Sequence, residues 1–399
     1  MGKNTVVVVP TYNRPRFLRR LLKYCHLEKL TSPILVADGS SHDNRIENAS
    51  VIAEFTARGM DVVHFVPPEG SIPVSSGTCQ FGYGPRLDLA LRDRTEPFIH
   101  MVCDDCLVSR QFVEEAASIL ERDDQTSVVV GPIWTYLLDA ERKTTALYGA
   151  LQSLNVSNVG GTRPGRTATE RLALNAQDYM LNTSWATHRR ENLIPYLRTA
   201  TEACRQLLDI DERAGPPGQA EEFGLNFLFG YVLNLFSLVQ GNVRPCPYLM
   251  LAHQYHAENW GLYLGQGPQL SEVMAGPYWS AMLTPYLDFV ATSLVQKDGL
   301  TPEASRSVVL AALGLDISRK LEHASRTSLN KQAPSVTSGS SAGWRQSAKR
   351  LPGLTTVVRQ VRRVAQLRRV ANERSHVQRL AQASDIVFLR HFIEDGNEA

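Results

Sequence analysis

Four consecutive valines, Val6–Val9, run straight into Pro10-Thr11-Tyr12-Asn13. An unbroken β-branched run suits a strand covered on both faces of a parallel sheet. Two further apolar runs stop just as abruptly: Pro33–Asp38 ends in Gly39-Ser40-Ser41, and Pro97–Cys103 ends in Asp104-Asp105. Between the first two, the period changes to that of a helix. Phe17, Leu18, Leu21, Leu22 and Cys25 share one side, and Arg16, Arg19, Arg20 and Lys23 mostly the other. Asn13 is placed to cap this helix and Pro15 suits its first turn. A helix over Ile46–Arg58, a strand over Asp61–Val66, helices over Pro85–Arg94 and Ser109–Arg122 and a strand over Ser127–Val130 continue the alternation. The pattern predicts an α/β, Rossmann-like domain with a mostly parallel sheet flanked by helices. Ligands of such sheets bind beyond the carboxyl ends of the strands. The three polar tips, PTYN, ADGSS and CDDC, should therefore meet at one edge.

At 399 residues the chain has room for two domains, or one large domain with an appendage. A net charge of +2 gives no global electrostatic case for nucleic acid. Six scattered cysteines and the lack of an apolar leader at the start point to a reducing cytosol and against a disulfide scaffold. Phe223–Gly241 carries no charge over about the length a bilayer requires. Asn226, Asn234, Ser237 and Gln240 within it, and Glu221 and Glu222 before it, favour a buried core helix.

Beyond about residue 135 the pattern blurs. Residues 139–175 are polar and Gly-rich and read as a long loop or insertion. Helical segments follow near 189–211, 220–240, 271–297 and 301–324, the last two forming a helical extension over 266–330. Residues 331–343, KQAPSVTSGSSAG, have the composition of a flexible linker. The tail over 344–399 is basic: between Arg345 and Arg379 there are ten Lys and Arg against one acid, Glu373, with valines spaced roughly three apart. Two readings of 345–379 stay open, a peripheral contact with an anionic membrane surface or acidic partner, and a solvated helix packed on the main domain.

Asp104-Asp105 is the central chemical feature. Adjacent carboxylates repel unless a cation sits by them, and hard divalent ions that take oxygen ligands also bind diphosphate. The plainer reading is a pair of acids preceding a helix. Cys103 and Cys106 bracket the pair. With no second CxxC and no Cys/His pair at finger-like spacing, Cys103 reads as a core residue rather than a redox or thiolate group. Asp38 can accept hydrogen bonds from a base or a ribose hydroxyl, or simply close a turn. Arg86 is placed to meet a phosphate or steady the acids, unless it is only a surface charge. Trp185, Tyr255 and Trp260 are candidates for stacking on sugar faces, or ordinary core aromatics.

PTYNR after a Val-rich strand, then a strand closing in ADGS, then a strand ending in an Asp cluster, resembles a family 2 glycosyltransferase of GT-A type, bacterial branch. The resemblance is best over residues 4–135. It implies a GT-A domain over 1–265 and transfer of a sugar from a nucleotide-sugar donor, UDP-linked by first choice, to a hydroxyl acceptor, with inversion. It further implies a Mn²⁺ or Mg²⁺ cofactor, a place in polysaccharide or glycoconjugate synthesis, and a cytoplasmic enzyme, peripheral at the inner membrane face if the tail binds there. By the same resemblance Pro10, Thr11, Asn13, Arg14, Asp38 and Asp104 bind the nucleotide, joined by Arg86. Asp105 is the metal-facing carboxylate, and His253 and His256 reach back to the metal or diphosphate, unless they are structural histidines. Glu221 and Glu222 are the candidates for the base that deprotonates the acceptor, with Asp178 and Asp211 poorer ones; the Glu pair could instead only favour a helix N-terminus. The chain departs from the family pattern at Cys106, where many relatives carry a third Asp. That departure motivates a rival reading, a catalytically inactive nucleotide-binding or scaffolding protein. A nucleotidyltransferase is the other alternative, and the absence of a Gly-rich basic loop after the first strand argues against it.

Overall fold

A computed structural model describes residues 4–72, 83–138, 146–157, 165–177, 183–208, 219–256, 274–276, 278–331 and 384–395. Strands β1 (Thr5–Thr11), β2 (Ile34–Asp38), β3 (Val62–Phe65), β4 (Phe98–Met101), β6 (Thr126–Val130), β9 (Thr187–Arg189) and β10 (Asn242–Pro245) form a seven-stranded sheet in the order β3-β2-β1-β4-β9-β6-β10. Every pairing is parallel except those of β9, which runs antiparallel to both β4 and β6. Val6–Val9 are fully buried in its middle, as a strand covered on both faces requires.

A second sheet of four strands stands beyond the tips, in the order β5-β11-β7-β8: β5 (Cys106–Val108), β7 (Ile133–Leu137), β8 (Ser153–Ser157) and β11 (Leu251–Tyr255). Its strands join residues far apart in the chain; β5 runs antiparallel to β11 with Cys106 opposite His253. This sheet was not foreseen. Residues 139–175, expected to be loop or insertion, contribute β8 and helix α5 (Ala168–Gln177) among the described residues.

Helix α1 (Pro15–Leu27) buries Phe17, Leu18, Leu21, Leu22 and Cys25 as its spacing predicts, and it packs on α2 (His42–Ala57). Two details differ. Asn13 does not cap α1: its backbone is left-handed (φ 54°), Arg14 holds the cap position, and the Asn13 side chain accepts from the Ser41 amide at 2.8 Å. Arg20, expected on the polar side, is buried, for a reason that lies in the site described below. Helix α2 begins at His42, a turn before the expected Ile46.

Helices α3 (Tyr83–Ala90), α4 (Arg110–Arg122), α6 (Arg190–Leu208), α7 (Gln219–Gln240), α8 (Trp279–Asp298) and α9 (Pro302–Lys331) complete the main body, with α6, α7 and α8 packed on one another. α7 contains most of the uncharged stretch noted above, and Leu228, Val232, Leu235 and Val239 are buried in the core. Among the described residues no helix is long and apolar enough to cross a membrane. The basic stretch 345–379 and all but the first residue of the expected linker lie outside the described residues. The last helix, α10 (Ser384–Asp395), packs Leu389, Phe392 and Ile393 against Tyr24, Trp134 and Tyr136.

Two histidines sit inside the large sheet. His100 on β4 meets the Thr187 hydroxyl at 3.1 Å, and His188 on β9 donates Nε2–H to the Thr183 carbonyl at 2.7 Å. Burial, with repulsion from His188, pushes His100 down to about 3. Burial pushes His188 down to about 4, the carbonyl opposing. Both therefore fold neutral, while the unfolded chain takes up their protons as pH falls below about 6.5. Stability is complete above that value and is lost as pH falls toward the folded values. At pH 5 each histidine is expected to cost on the order of 2 kcal/mol relative to pH 7. Denaturant unfolding at the two pH values measures this, and His188→Asn should flatten the dependence.

Candidate active site

The parallel sheet brings the three polar tips together through its register. Thr11 ends β1 opposite Asp38, the last residue of β2. β4 stops at Met101 opposite Val8, and the Val102 amide donates to the Val8 carbonyl at 3.0 Å, so the following residues run on beside the end of β1. This brings Asp104 to the Thr11 hydroxyl, which donates to Oδ2 at 2.7 Å.

Asp104 and Asp105 are both buried, and Arg14 bridges them. Its Nη2 lies 2.6 Å from Asp104 Oδ1 and its Nη1 donates to Asp105 Oδ2 at 3.0 Å. The guanidinium thus stands where the sequence calls for a cation. Burial works against its charge, but Asp104 and Asp105 outweigh burial and raise its pKa above the usual value. The two acids diverge. Burial, with repulsion from Asp105, pushes Asp104 up, while Arg14 and Thr11 oppose it. Burial also works against charge on Asp105, but His253 and Arg14 hold it well below the usual carboxylate range.

The second sheet supplies His253, and His256 follows the end of its strand β11. His256 Nε2 is 3.3 Å from Asp105 Oδ2, and its ring stacks on Phe17 at 4.3 Å between centroids. His253 Nδ1 is 3.4 Å from Asp105 Oδ1 and 3.2 Å from the Cys106 sulfur. Arg20 explains its burial here: it donates to the Asp105 carbonyl at 3.0 Å and the Leu147 carbonyl at 3.1 Å, and bonds the Gln254 side chain. One guanidinium thereby ties the acidic turn to β11.

A cavity of about 510 Å³ opens in front of Arg14. Pro10, Thr11, Asn13, Arg14 and Arg86 line it, together with Tyr83, Trp185 and Phe229. Arg86 crosses the tip of β2, where a Cβ on Gly39 would fall 1.5 Å from Nη1 of Arg86; only glycine leaves the guanidinium that path.

Asp38 is at the expected strand end but outside the lining. Ser40 N–H donates to Oδ1 at 2.8 Å, and Asn48 and His64 meet Oδ2, each at 2.9 Å. Against its burial these bonds hold it below the usual carboxylate range. Glu221 and Glu222 fall in the first turn of α7, and their side chains lie outside the described residues, as do Asp178, Asp211 and Trp260. Sequence reasoning missed Tyr83, Ser184, Asn226 and Gly230 on the cavity wall. Asn226 was read only as a polar residue in an apolar helix, and nothing in its neighbours marks it as lining.

The described Asp105, Cys106 and His253 could hold a metal ion, since their donor atoms lie within 4.8 Å of one another. Asp104 is less available: one oxygen receives Thr11 and the other faces Arg14. The donor set therefore fits a divalent ion, but as one carboxylate with a sulfur and an imidazole rather than as a run of carboxylates.

No known family model matches the chain, and no curated protein does. Solved structures that resemble it include S. aureus TarS, at 13% identity over 79% of this chain and 43% of that one, with a TM-score of 0.42. The chain thus spans under half the length of that protein. TarS residues 1–349 in complex with UDP-GlcNAc give 13% identity over 79% of this chain and 72% of that one, with a TM-score of 0.45. Glucosyl-3-phosphoglycerate synthase from Mycobacterium tuberculosis, in complex with Mn²⁺, UDP and phosphoglyceric acid, gives 17% identity over 71% and 79%, with a TM-score of 0.36.

Two outcomes test the site. Arg14→Gln leaves two adjacent buried carboxylates without their bridge and is expected to cost about 3–5 kcal/mol in unfolding free energy. Asp104→Asn added to it should recover part of the loss. Gly39→Ala should leave stability within about 1 kcal/mol, because the atom it meets is the end of a movable side chain. The same change should displace Arg86 from the cavity and weaken binding of a diphosphate ligand about tenfold, measured by calorimetry.

Proposed function

We propose that this chain is a glycosyltransferase of GT-A, family 2 type that takes a sugar from a nucleoside-diphosphate donor, UDP-linked by first choice, to a hydroxyl acceptor. The observation that carries the reading is the cavity at the carboxyl edge of the parallel sheet, lined by two arginines and four aromatic residues. Arg14 and Arg86 offer positive charge and directed donors to a diphosphate. The first turn of α1, directly after Arg14, adds a helix N-terminus. Tyr83, Trp185 and Phe229 offer faces on which a base or a sugar can stack. A cavity of this size, lined by aromatic and polar side chains together, suits a small molecule.

In this reading Thr11 and Arg14 hold Asp104 fixed beside the donor. Arg20 fixes the turn that carries Asp105, so charge near the diphosphate is placed before the donor arrives. Arg86 takes up negative charge as the sugar–phosphate bond breaks. Asp105, Cys106 and His253 are the groups that would hold a divalent ion, which when bound adds positive charge against the departing diphosphate. Inversion requires a base on the acceptor side. Glu221 and Glu222 remain the proposed pair, shortly before the part of α7 that brings Asn226 to the cavity wall. Asp38 serves the base through the Ser40 and Asn48 network if it opens to the donor. The stretch 345–379 would hold the enzyme against an anionic membrane on the cytoplasmic side, near polysaccharide or glycoconjugate synthesis.

A second reading, a nucleotide-binding protein without transferase activity, is supported by one feature: Arg14 already satisfies both acids of the motif. The two readings separate in a single experiment. Thermal unfolding is followed with UDP-, GDP- and dTDP-sugars, with and without Mn²⁺ or Mg²⁺, and donor turnover is assayed in parallel. Stabilisation by a UDP-sugar, growing with its concentration and reduced by Arg86→Ala, is expected together with slow donor hydrolysis. Stabilisation without turnover of any donor selects the second reading. No stabilisation by any nucleotide sugar overturns both.

A further inference from the structure

The departure at Cys106 takes on a geometric meaning once β5 and β11 are paired. The register sets Cys106 opposite His253, so a residue that follows the acidic pair meets a histidine 147 positions later. Three donor atoms then form a nearly regular triangle. Cys106 Sγ is 3.2 Å from His253 Nδ1 and 3.5 Å from Asp105 Oδ1, and His253 Nδ1 is 3.4 Å from the same Oδ1. Tetrahedral bonds of about 2.0–2.3 Å to zinc set neighbouring donors roughly 3.3–3.5 Å apart, a range that the two distances from Asp105 Oδ1 meet and the Cys106–His253 distance falls just short of. The octahedral shell of Mg²⁺, at about 2.1 Å, sets them about 3.0 Å apart.

The surroundings favour the same geometry. Asp105 turns its two oxygens to different partners: Oδ2 faces Arg14 and His256, and Oδ1 faces the triangle. His256 thus acts on the carboxylate from outside the donor set, the usual place of a group that orients a metal ligand. All three donor residues are buried. A sulfur, an imidazole and a single carboxylate form a soft-to-borderline set, unsuited to an ion that demands oxygen.

We propose that Asp105, Cys106 and His253 form a three-ligand tetrahedral site that selects Zn²⁺, or a similar borderline ion such as Co²⁺, over Mg²⁺. On binding, the Cys106 thiol releases its proton to solvent and its sulfur bonds the ion. The inference deepens the transferase reading by naming the ion class, and it rests on that reading only for the ion's role, not for its binding.

The test needs no donor. Full-length protein is stripped with a chelator under a phosphine reductant and titrated with Co²⁺. A 1:1 complex with intense tetrahedral d–d bands and a sulfur-to-cobalt charge-transfer band is expected. Zn²⁺ should displace the cobalt stoichiometrically, and a hundredfold excess of Mg²⁺ should not. Cys106→Ser should abolish the charge-transfer band and weaken zinc binding by about 10–100-fold, while Cys103→Ser should keep both. Cys106→Asp should shift preference toward Mn²⁺, read by the electron paramagnetic resonance signal of free Mn²⁺. A weak octahedral spectrum without the sulfur band, displacement by Mg²⁺, or no 1:1 binding overturns the proposal; the unmutated protein decides these even if a variant fails to fold. A protein that binds zinc so but no nucleotide sugar refutes the transferase reading alone, and the converse result refutes the zinc site alone.

Discussion

The bridge from Arg14 to Asp104 and Asp105 is the interaction on which the edge of the sheet depends. Two carboxylates on adjacent residues, both out of water, cannot persist as anions without an opposing charge. Arg14 supplies it from the loop after β1, with one nitrogen toward each acid. The contact thereby joins the first strand to the fourth across a sequence separation of about ninety residues. Thr11 makes the same connection one turn of chain earlier through its hydroxyl. Parallel pairing alone would bring the two tips near each other. The charge pair fixes their distance.

Other buried polar groups extend that constraint outward. Arg20 carries the Asp105 carbonyl to Gln254 and to Leu147, so the acidic turn is anchored to the second sheet as well as to the first. Asp38 performs a similar service at the neighbouring tip, gathering Ser40, Asn48 and His64 around one carboxylate. Asn13 in its left-handed conformation links the two tips, since its amide donates to Ser40 and its side chain accepts from Ser41. Low dielectric makes each of these bonds costly to break and leaves few alternative arrangements. The cavity wall on this side is therefore set before any ligand arrives, whereas the far wall is built from α3 and α7 by packing.

What could be read in advance follows from the range of each interaction. β1, β2, β3, β4 and β6 are local runs of apolar residues, and the sequence shows them within a residue or two. β5 and β9 are three residues each, too short to carry a period, and the second sheet exists only because β11 returns to β5 from much later in the chain. The same limit governs the site. Thr11, Arg14 and Asp104 are legible because strand ends of a parallel sheet converge. The burial of Arg20 is not, because its partners Gln254 and Leu147 lie far off in sequence. Cys106 was the sharpest case: no cysteine–histidine spacing marked it, and only the cross-strand register supplies its partner.

Charge then constrains what the site can become. Asp104 and Asp105 against Arg14 leave one net negative charge behind the cavity, with the Cys106 thiol kept neutral by burial, which pushes it well above its ordinary range. A divalent ion with a deprotonated sulfur adds one net positive charge to this group, the same as it would with a third carboxylate in that position. Replacing Asp by Cys at residue 106 therefore preserves the electrostatic balance of a loaded site while changing the hardness of the donor set. On the proposed reading, Cys106 would act on the identity of the ion rather than on the charge that a diphosphate would meet.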